Sequence, residues 1–420
     1  TVITPVFDAA GREILFYVGS RGHHADIGGT TPGSMPPDSA HVDEEGVLLT
    51  DFPLVRAGRM REAELREALA SARWPARNPD QNLADLRAQV AANEKGREEL
   101  LKMVQHFGLD VVRAYMGHVQ DNAEASVRRV IGALKDGAFE LPLDNGARIC
   151  VRIAVDRARR AATVDFGGTS PQQPNNFNAP HAVTMAAVLY VFRTLVDDEI
   201  PMNAGCLKPI DVIVPEGSML NPRYPAAVVA GNVETSQCIT NCLYGALGVM
   251  ASGPPTMSNL TFGNARYQYY ETISGGSGAG GVFDEAGRLV GGFDGTALVQ
   301  THMTNSRLTD PEILELRFPV RLDSYAIRAG SGGAGHWRGG DGGVRRIRFL
   351  EPMTASILAN GRIHPAFGAA GGSAGAPGAD CVIRADGRVE RLRHADSAEL
   401  AAGDVFVVET PGGGGFGAPG

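Results

Sequence analysis

Two adjacent histidines and a carboxylate stand within four positions in Arg21-Gly22-His23-His24-Ala25-Asp26-Ile27-Gly28-Gly29. Imidazole and carboxylate are groups that bind divalent metals and move protons near neutral pH, so His23, His24 and Asp26 are candidates for both tasks. The flanking glycines would let backbone N–H groups approach a ligand closely. Read as local structure alone, the same residues make a polar loop with an aspartate in its turn. Arg21, at the entrance of this stretch, is a candidate for holding an anionic substrate group. A second histidine lies in Gln300-Thr301-His302-Met303-Thr304-Asn305, where His302 could act as an acid and Asn305 could bind substrate.

Two further stretches read as backbone cradles. Gly231-Asn232-Val233-Glu234-Thr235-Ser236-Gln237 is a strand-to-helix turn, with Thr235 or Ser236 able to cap the helix that carries Ile239, Leu243, Leu247 and Met250. A helix N-terminus of this kind attracts anions, which makes Asn232, Thr235 and Gln237 substrate-binding candidates. Gly275-Gly276-Ser277-Gly278-Ala279-Gly280-Gly281 offers backbone N–H groups in the same way, through Gly276 and Gly278.

The elements that must position these groups follow from periodicity. Thr1–Phe7 and Ile14–Ser20 flank a turn signal and read as a β-hairpin delivering the histidine loop. A Pro/Gly/Asp-rich loop follows, and then helices over 60–72 and 81–135, broken at Gly108, with Leu83, Leu86 and Val90 at helical spacing. Alternating strands start near Phe139, Ala182–Val196 is a buried helix, and Asp211–Val214 and Ala227–Ala230 read as short strands. From Phe318 onward β-segments alternate with glycine turns, which predicts a sandwich- or barrel-like region. The fold class is therefore mixed α/β of the α+β kind. Its divisions are a hairpin and site loop (1–58), a helical arm (59–136), a central α/β region (137–325) and a β-rich region (326–420), interwoven as one domain.

Composition narrows the function. A net charge of −8 over 420 residues argues against nucleic acid or an anionic membrane as partner. The five scattered cysteines and the lack of a long apolar run fit a cytoplasmic protein. None of Lys95, Lys102, Lys135 and Lys208 precedes Ser or Thr, so no P-loop is present. The G-x-G-x-x-G matches and Gly371-x-Ser373-x-Gly375 lack the required strand context.

The order of the motifs resembles the hydantoinase B family. It is carried by the His23/His24 stretch with Pro32-Gly33-Ser34-Met35-Pro36-Pro37, by Asn82-Leu83-Ala84-Asp85-Leu86-Arg87-Ala88-Gln89, and by Gly231–Gln237 and Tyr270-Glu271-Thr272-Ile273. His302-Met303-Thr304-Asn305, Thr309–Glu315 and Gly339-Gly340-Asp341-Gly342 continue the series. Tyr115-Met116-Gly117-His118 and Thr410–Gly417 are most similar to the oxoprolinase branch. The resemblance implies the hydrolytic half of an ATP-dependent cyclic-amide hydrolase that opens 5-oxo-L-proline to L-glutamate. N-methylhydantoin hydrolysis, ketone carboxylation or a non-catalytic structural role are the alternatives. It also implies a divalent metal (Mg, Mn or Zn) at His23, His24 and Asp26, and a hydantoinase A-type partner that binds the ATP. A homo-oligomer is expected, as is a His-x-x-Asp element upstream of Thr1 that shares the metal.

Overall fold

The computed structural model describes all of residues 1–420. It opens on a hairpin of β1 (Val2–Phe7) and β2 (Ile14–Ser20), paired so that Val2 lies opposite Ser20. A short pair, β3 (Val55–Arg56) and β4 (Arg59–Met60), precedes the helices α1 (Glu62–Ser71), α2 (Pro79–Phe107) and α3 (Leu109–Ala133). The break between α2 and α3 falls at Gly108, whose φ of 88° suits glycine and stops the helix. The apolar stripe of α2 splits its work. Leu83 and Leu86 join Leu65, Leu69 and Ala76 in one small core, while Leu100 and Val104 pack with Val6, Phe16 and Val112 under the hairpin.

The central region is a sheet of β5 (Gly137–Pro142), β6 (Arg148–Asp156), β7 (Ala161–Asp165) and β8 (Ile210–Ile213), with only β7 and β8 parallel. Helices α4 (His181–Thr194) and α5 (Ser236–Leu247) join it in the largest core, 35 buried residues that include Ile149, Val164, Val188 and Leu243.

Beyond α5 come β9 (Asn259–Gly263), β10 (Gln268–Thr272), the pair β11 (Gly280–Phe283) and β12 (Leu289–Phe293), and α6 (Pro311–Arg317). The last strands are β13 (Val320–Ile327), β14 (Gly343–Phe349), β15 (Met353–Leu358), β16 (Ala379–Ile383), β17 (Val389–Leu392), β18 (Ala395–Leu400) and β19 (Val405–Glu409). With β9 and β10 they form a sandwich: one sheet ordered β10-β9-β15-β18, the other β13-β14-β19-β16-β17. Phe262, Ile357, Ile347 and Phe406 meet in the core between them. Because β9 pairs with β15, residues on either side of 325 share a sheet.

The glycines concentrate where four chain segments interleave. Gly276 N–H bonds Pro411 O, Gly340 N–H bonds Ser277 O, Gly413 N–H bonds Gly340 O, and Gly415 N–H bonds Ser373 O, all at 2.9–3.0 Å. A Cβ on Gly413 would stand 1.9 Å from Ser277 O, so backbone here packs directly on backbone.

Candidate active site

The histidine loop is held by one polar face of α2. Asn93 Nδ2 donates to Val2 O and Thr4 Oγ1, both at 3.0 Å, and Gln89 Nε2 donates to Ser20 O at 3.3 Å. Asp85 Oδ2 lies 3.1 Å from His24 Nδ1, and Asn82 Nδ2 donates to Asp26 O at 2.8 Å. Positions 82, 85, 89 and 93 recur every three or four residues, so one helix face follows the chain from β1 through the end of β2 to the loop. Arg21 lies exposed at the start of the loop, 3.0 Å from Thr1 Oγ1. His23 is exposed and makes no hydrogen bond within the chain, whereas the side chain of His24 is largely buried.

Asp26 serves the loop itself. Its Oδ1 accepts from Gly28 N at 2.9 Å and Arg77 N at 3.1 Å; its Oδ2 accepts from Gly33 N at 3.0 Å and Arg77 Nη1 at 2.9 Å. Four donors fill the roughly four lone-pair positions of a carboxylate. Within this chain the expected metal set of His23, His24 and Asp26 narrows to the histidines, as part of a site shared with the upstream His-x-x-Asp element. Asp26 has no free position for a cation, and nowhere in the chain are three His, Cys, Asp or Glu side chains grouped to hold one. Among these three residues only the histidines keep free lone pairs, so a divalent ion does not fit the trio as a self-contained site.

The 227–237 stretch also departs from expectation. Ala227–Ala230 is not a strand: Val229 and Ala230 are already helical, and Gly231–Thr235 continue as a π-helical turn into α5. The anion at this helix start is the chain's own Glu45. Its carboxylate accepts from Val228 N and Val229 N at 2.9–3.0 Å and from Ser39 Oγ at 2.9 Å. Thr235 is no cap; its hydroxyl donates to Phe177 O at 2.7 Å. Asn232 is exposed.

Four side chains along α5 and the turn before it stitch two loops. Glu234 Oε1 accepts from Thr256 Oγ1 at 2.9 Å, Met257 N at 3.1 Å and Asn259 Nδ2 at 2.6 Å. Cys238 Sγ donates to Pro255 O, and Asn241 exchanges two hydrogen bonds with the backbone of Gly253. Gln237, expected at the substrate, faces the His302 loop. Its Nε2 donates to Thr301 O at 3.1 Å and its Oε1 accepts from Met303 N at 3.2 Å, which clamps the His302 loop.

His302 sits in that clamp at φ 60°, between the rings of Tyr190 and Tyr244. Its Nδ1 lies 3.4 Å from Tyr190 Oη, and its Nε2 is buried without a partner, as is Thr301 Oγ1. Both unmet atoms converge on Gly253: a Cβ there would stand 2.9 Å from His302 Nε2 and 3.5 Å from Thr301 Oγ1. Burial lowers the pKa of His302 to about 4, so the ring is neutral at pH 7. Asn305 is exposed and Gly276 and Gly278 are buried. Gly276 N–H is bonded to Pro411 O, and a Cβ on Gly278 would meet Ala251 O at 2.1 Å, so both glycines sit where backbone packs on backbone.

The family profile described as Hydantoinase B/oxoprolinase matches residues 1–419. This chain belongs to the hydantoinase B/oxoprolinase family. It is 42% identical to a 5-oxoprolinase of Dictyostelium discoideum over 99% of its length, and 42% identical to 5-oxoprolinase 1 of Arabidopsis thaliana over 99%. It spans about a third of those relatives, 32% and 34%. An ATP-dependent caprolactamase from Pseudomonas jessenii superposes with a TM-score of 0.82 at 25% identity, covering 99% of this chain and 74% of that one. An acetone carboxylase, 19% identical, shares the fold with a TM-score of 0.81 over 99% of this chain and 62% of its own.

Asp85, Glu45, Glu234 and Asn241 were not candidates in the sequence. The signal for Asp85 lay in the Asn82–Gln89 motif, where amide and carboxylate side chains recur at helical spacing. Nothing local marks Glu45, whose partners are the backbone of residues 228 and 229.

Proposed function

We propose that this chain is the hydrolytic component of an ATP-dependent cyclic-amide hydrolase that opens 5-oxo-L-proline to L-glutamate. The single observation that carries this reading is about 40% identity to 5-oxoprolinases over essentially the whole chain. A hydantoinase A-type partner phosphorylates the lactam oxygen, since this chain has no P-loop. A water oxygen then bonds to the activated carbon and gives its proton to a base. The ring C–N bond breaks as the nitrogen takes a proton, and a second water converts the acyl phosphate to glutamate and phosphate.

His24 is the group best suited to the first proton transfer. Its Nδ1 faces Asp85, which leaves Nε2 for a water proton, in the manner of a base held by a third group. His23 and Arg21 lie beside it on the exposed side of the loop. Asp26 supports this loop without touching substrate. His302, neutral at pH 7, lies between the rings of Tyr190 and Tyr244 in the loop that Gln237 clamps.

The likeness to the caprolactamase supports a second lactam as substrate, with the same roles. The test joins this chain to the ATP-binding partner and measures glutamate release and ATP use with 5-oxoproline. Stoichiometric ATP use with glutamate is expected. Consumption of caprolactam, N-methylhydantoin or bicarbonate with a ketone would replace the substrate. Assembly without turnover of any of them would leave a structural subunit.

A further inference from the structure

We infer that Asp85 is the positioning residue of His24, fixing its ring as the Nδ1–H tautomer so that Nε2 presents a lone pair. The inference rests on the reading of the histidine loop as the chemical site, and it begins from the Asn82–Gln89 stretch of α2.

Asp85 is itself held. Gln81 Nε2, one turn earlier on α2, donates to Asp85 Oδ1 at 2.7 Å, while Oδ2 faces His24 Nδ1 at 3.1 Å. An ionised carboxylate only accepts, so the hydrogen in the second contact belongs to Nδ1. Neutral imidazole carries one N–H, and placing it on Nδ1 leaves Nε2 as an acceptor. A free histidine would exchange both tautomers; here the helix selects one.

The rest of the polar stripe prevents the pair from drifting apart. Asn82 holds the carbonyl of Asp26, two residues past His24, and Gln89 exchanges hydrogen bonds with Ser20, four residues before it. The loop is thereby pinned to α2 on both sides of the imidazole. A Cβ at Gly22 would come within 3.3 Å of Gln89 Nε2, so the chain passes close to the helix at that point too. Asp26, with Arg77, sets the shape of the turn beyond. Two carboxylates near the histidines thus have separate tasks: Asp26 shapes the loop, and Asp85 orients the ring.

The test is [15N]histidine NMR of the chain at a pH where the ring is neutral, with the His24 signal assigned by its loss in His24→Gln. The wild-type chain should show a protonated Nδ1 and an unprotonated Nε2, and Asp85→Ala should shift the ring toward the Nε2–H form. Asp85→Asn, which can still accept from Nδ1–H, should keep the wild-type pattern and acts as the folding control. An unchanged tautomer in Asp85→Ala overturns the inference.

With the ATP-binding partner, Asp85→Ala should lower kcat roughly tenfold to a hundredfold, with KM nearly unchanged and partial recovery in Asp85→Asn. Wild-type kcat in Asp85→Ala also overturns it. Failure of the wild-type pair to turn over any lactam defeats the functional reading instead, and leaves the NMR result standing.

Discussion

Gln237 and Asn241 stand one turn apart on α5, and each carboxamide closes two hydrogen bonds with the backbone of a different loop. The two loops meet where His302 Nε2 faces Gly253. A primary amide suits this task because it offers a donor and an acceptor at once, matching one N–H and one C=O of an irregular segment. Loops that lack a strand partner are given a substitute by the helix.

Removing either amide leaves a backbone N–H and a C=O unmet, each at about 1–3 kcal/mol. Gln237→Ala is expected to lower stability by roughly 2–4 kcal/mol in urea unfolding. Because the loops touch, Gln237→Ala and Asn241→Ala should couple by ~0.5 kcal/mol or more in a double-mutant cycle. Strict additivity would mean that the loops are held independently.

Glu234 is wholly buried, with three donors on Oε1 and none on Oε2. Burial pushes its pKa well above the usual carboxylate range, against the pull of its hydrogen bonds. A raised carboxyl pKa favours the folded state at low pH, and that stability is lost as pH rises from about 4.5 through the folded-state value. Glu234→Gln should therefore flatten the decline on the alkaline side and keep the fold. Glu234→Ala, which strands Thr256, Met257 and Asn259, should cost about 3–5 kcal/mol. Unfolding midpoints measured from pH 5 to pH 9 compare the two; a wild-type pH profile in Glu234→Gln would refute the assignment.

His302 has the opposite sign. With its pKa lowered to about 4, the folded state excludes the imidazolium, so its contribution is full above pH 6.5 and falls as pH drops toward 4. The loss across that window is about 3 kcal/mol. His302→Gln should blunt acid sensitivity between those limits, read from unfolding midpoints at fixed ionic strength. The same steepness in wild type and variant would place the acid-sensitive group elsewhere.

Asp26 and Arg77 form a pair in which the carboxylate is almost completely buried. Removing one partner of such a pair costs roughly 3–5 kcal/mol. If Asp26 serves only the loop, Asp26→Ala and Arg77→Ala should impair turnover to a similar extent. A defect in Asp26→Ala at least ten times deeper than in Arg77→Ala would restore Asp26 to the chemistry.

The helical arm was legible because its information is local. Leu83, Leu86 and Val90 show their period, and Gly108 shows its break, within a few turns of chain. The β-rich second half was legible as strands and turns, but not as pairings: nothing near Leu260 announces Ile357 as its neighbour in the sheet. The site was half legible for the same reason. A carboxylate two residues from a histidine reads as a ligand, and only the approach of Arg77 and two loop amides reveals a carboxylate already saturated. Glu45 inverts the case, since the helix start was read as an anion site and its anion lies near the other end of the sequence's first loop.

The interleaved glycine segments set an order of events during synthesis. The 411–417 strip threads between stretches around 277, 333, 340 and 373, contributing bonds to each. Those earlier stretches leave the ribosome with backbone groups whose partners do not yet exist. The bonds between these stretches are complete only once Gly415 has been made. A chain cut short of that point would leave the backbone groups around 277, 333, 340 and 373 without these partners.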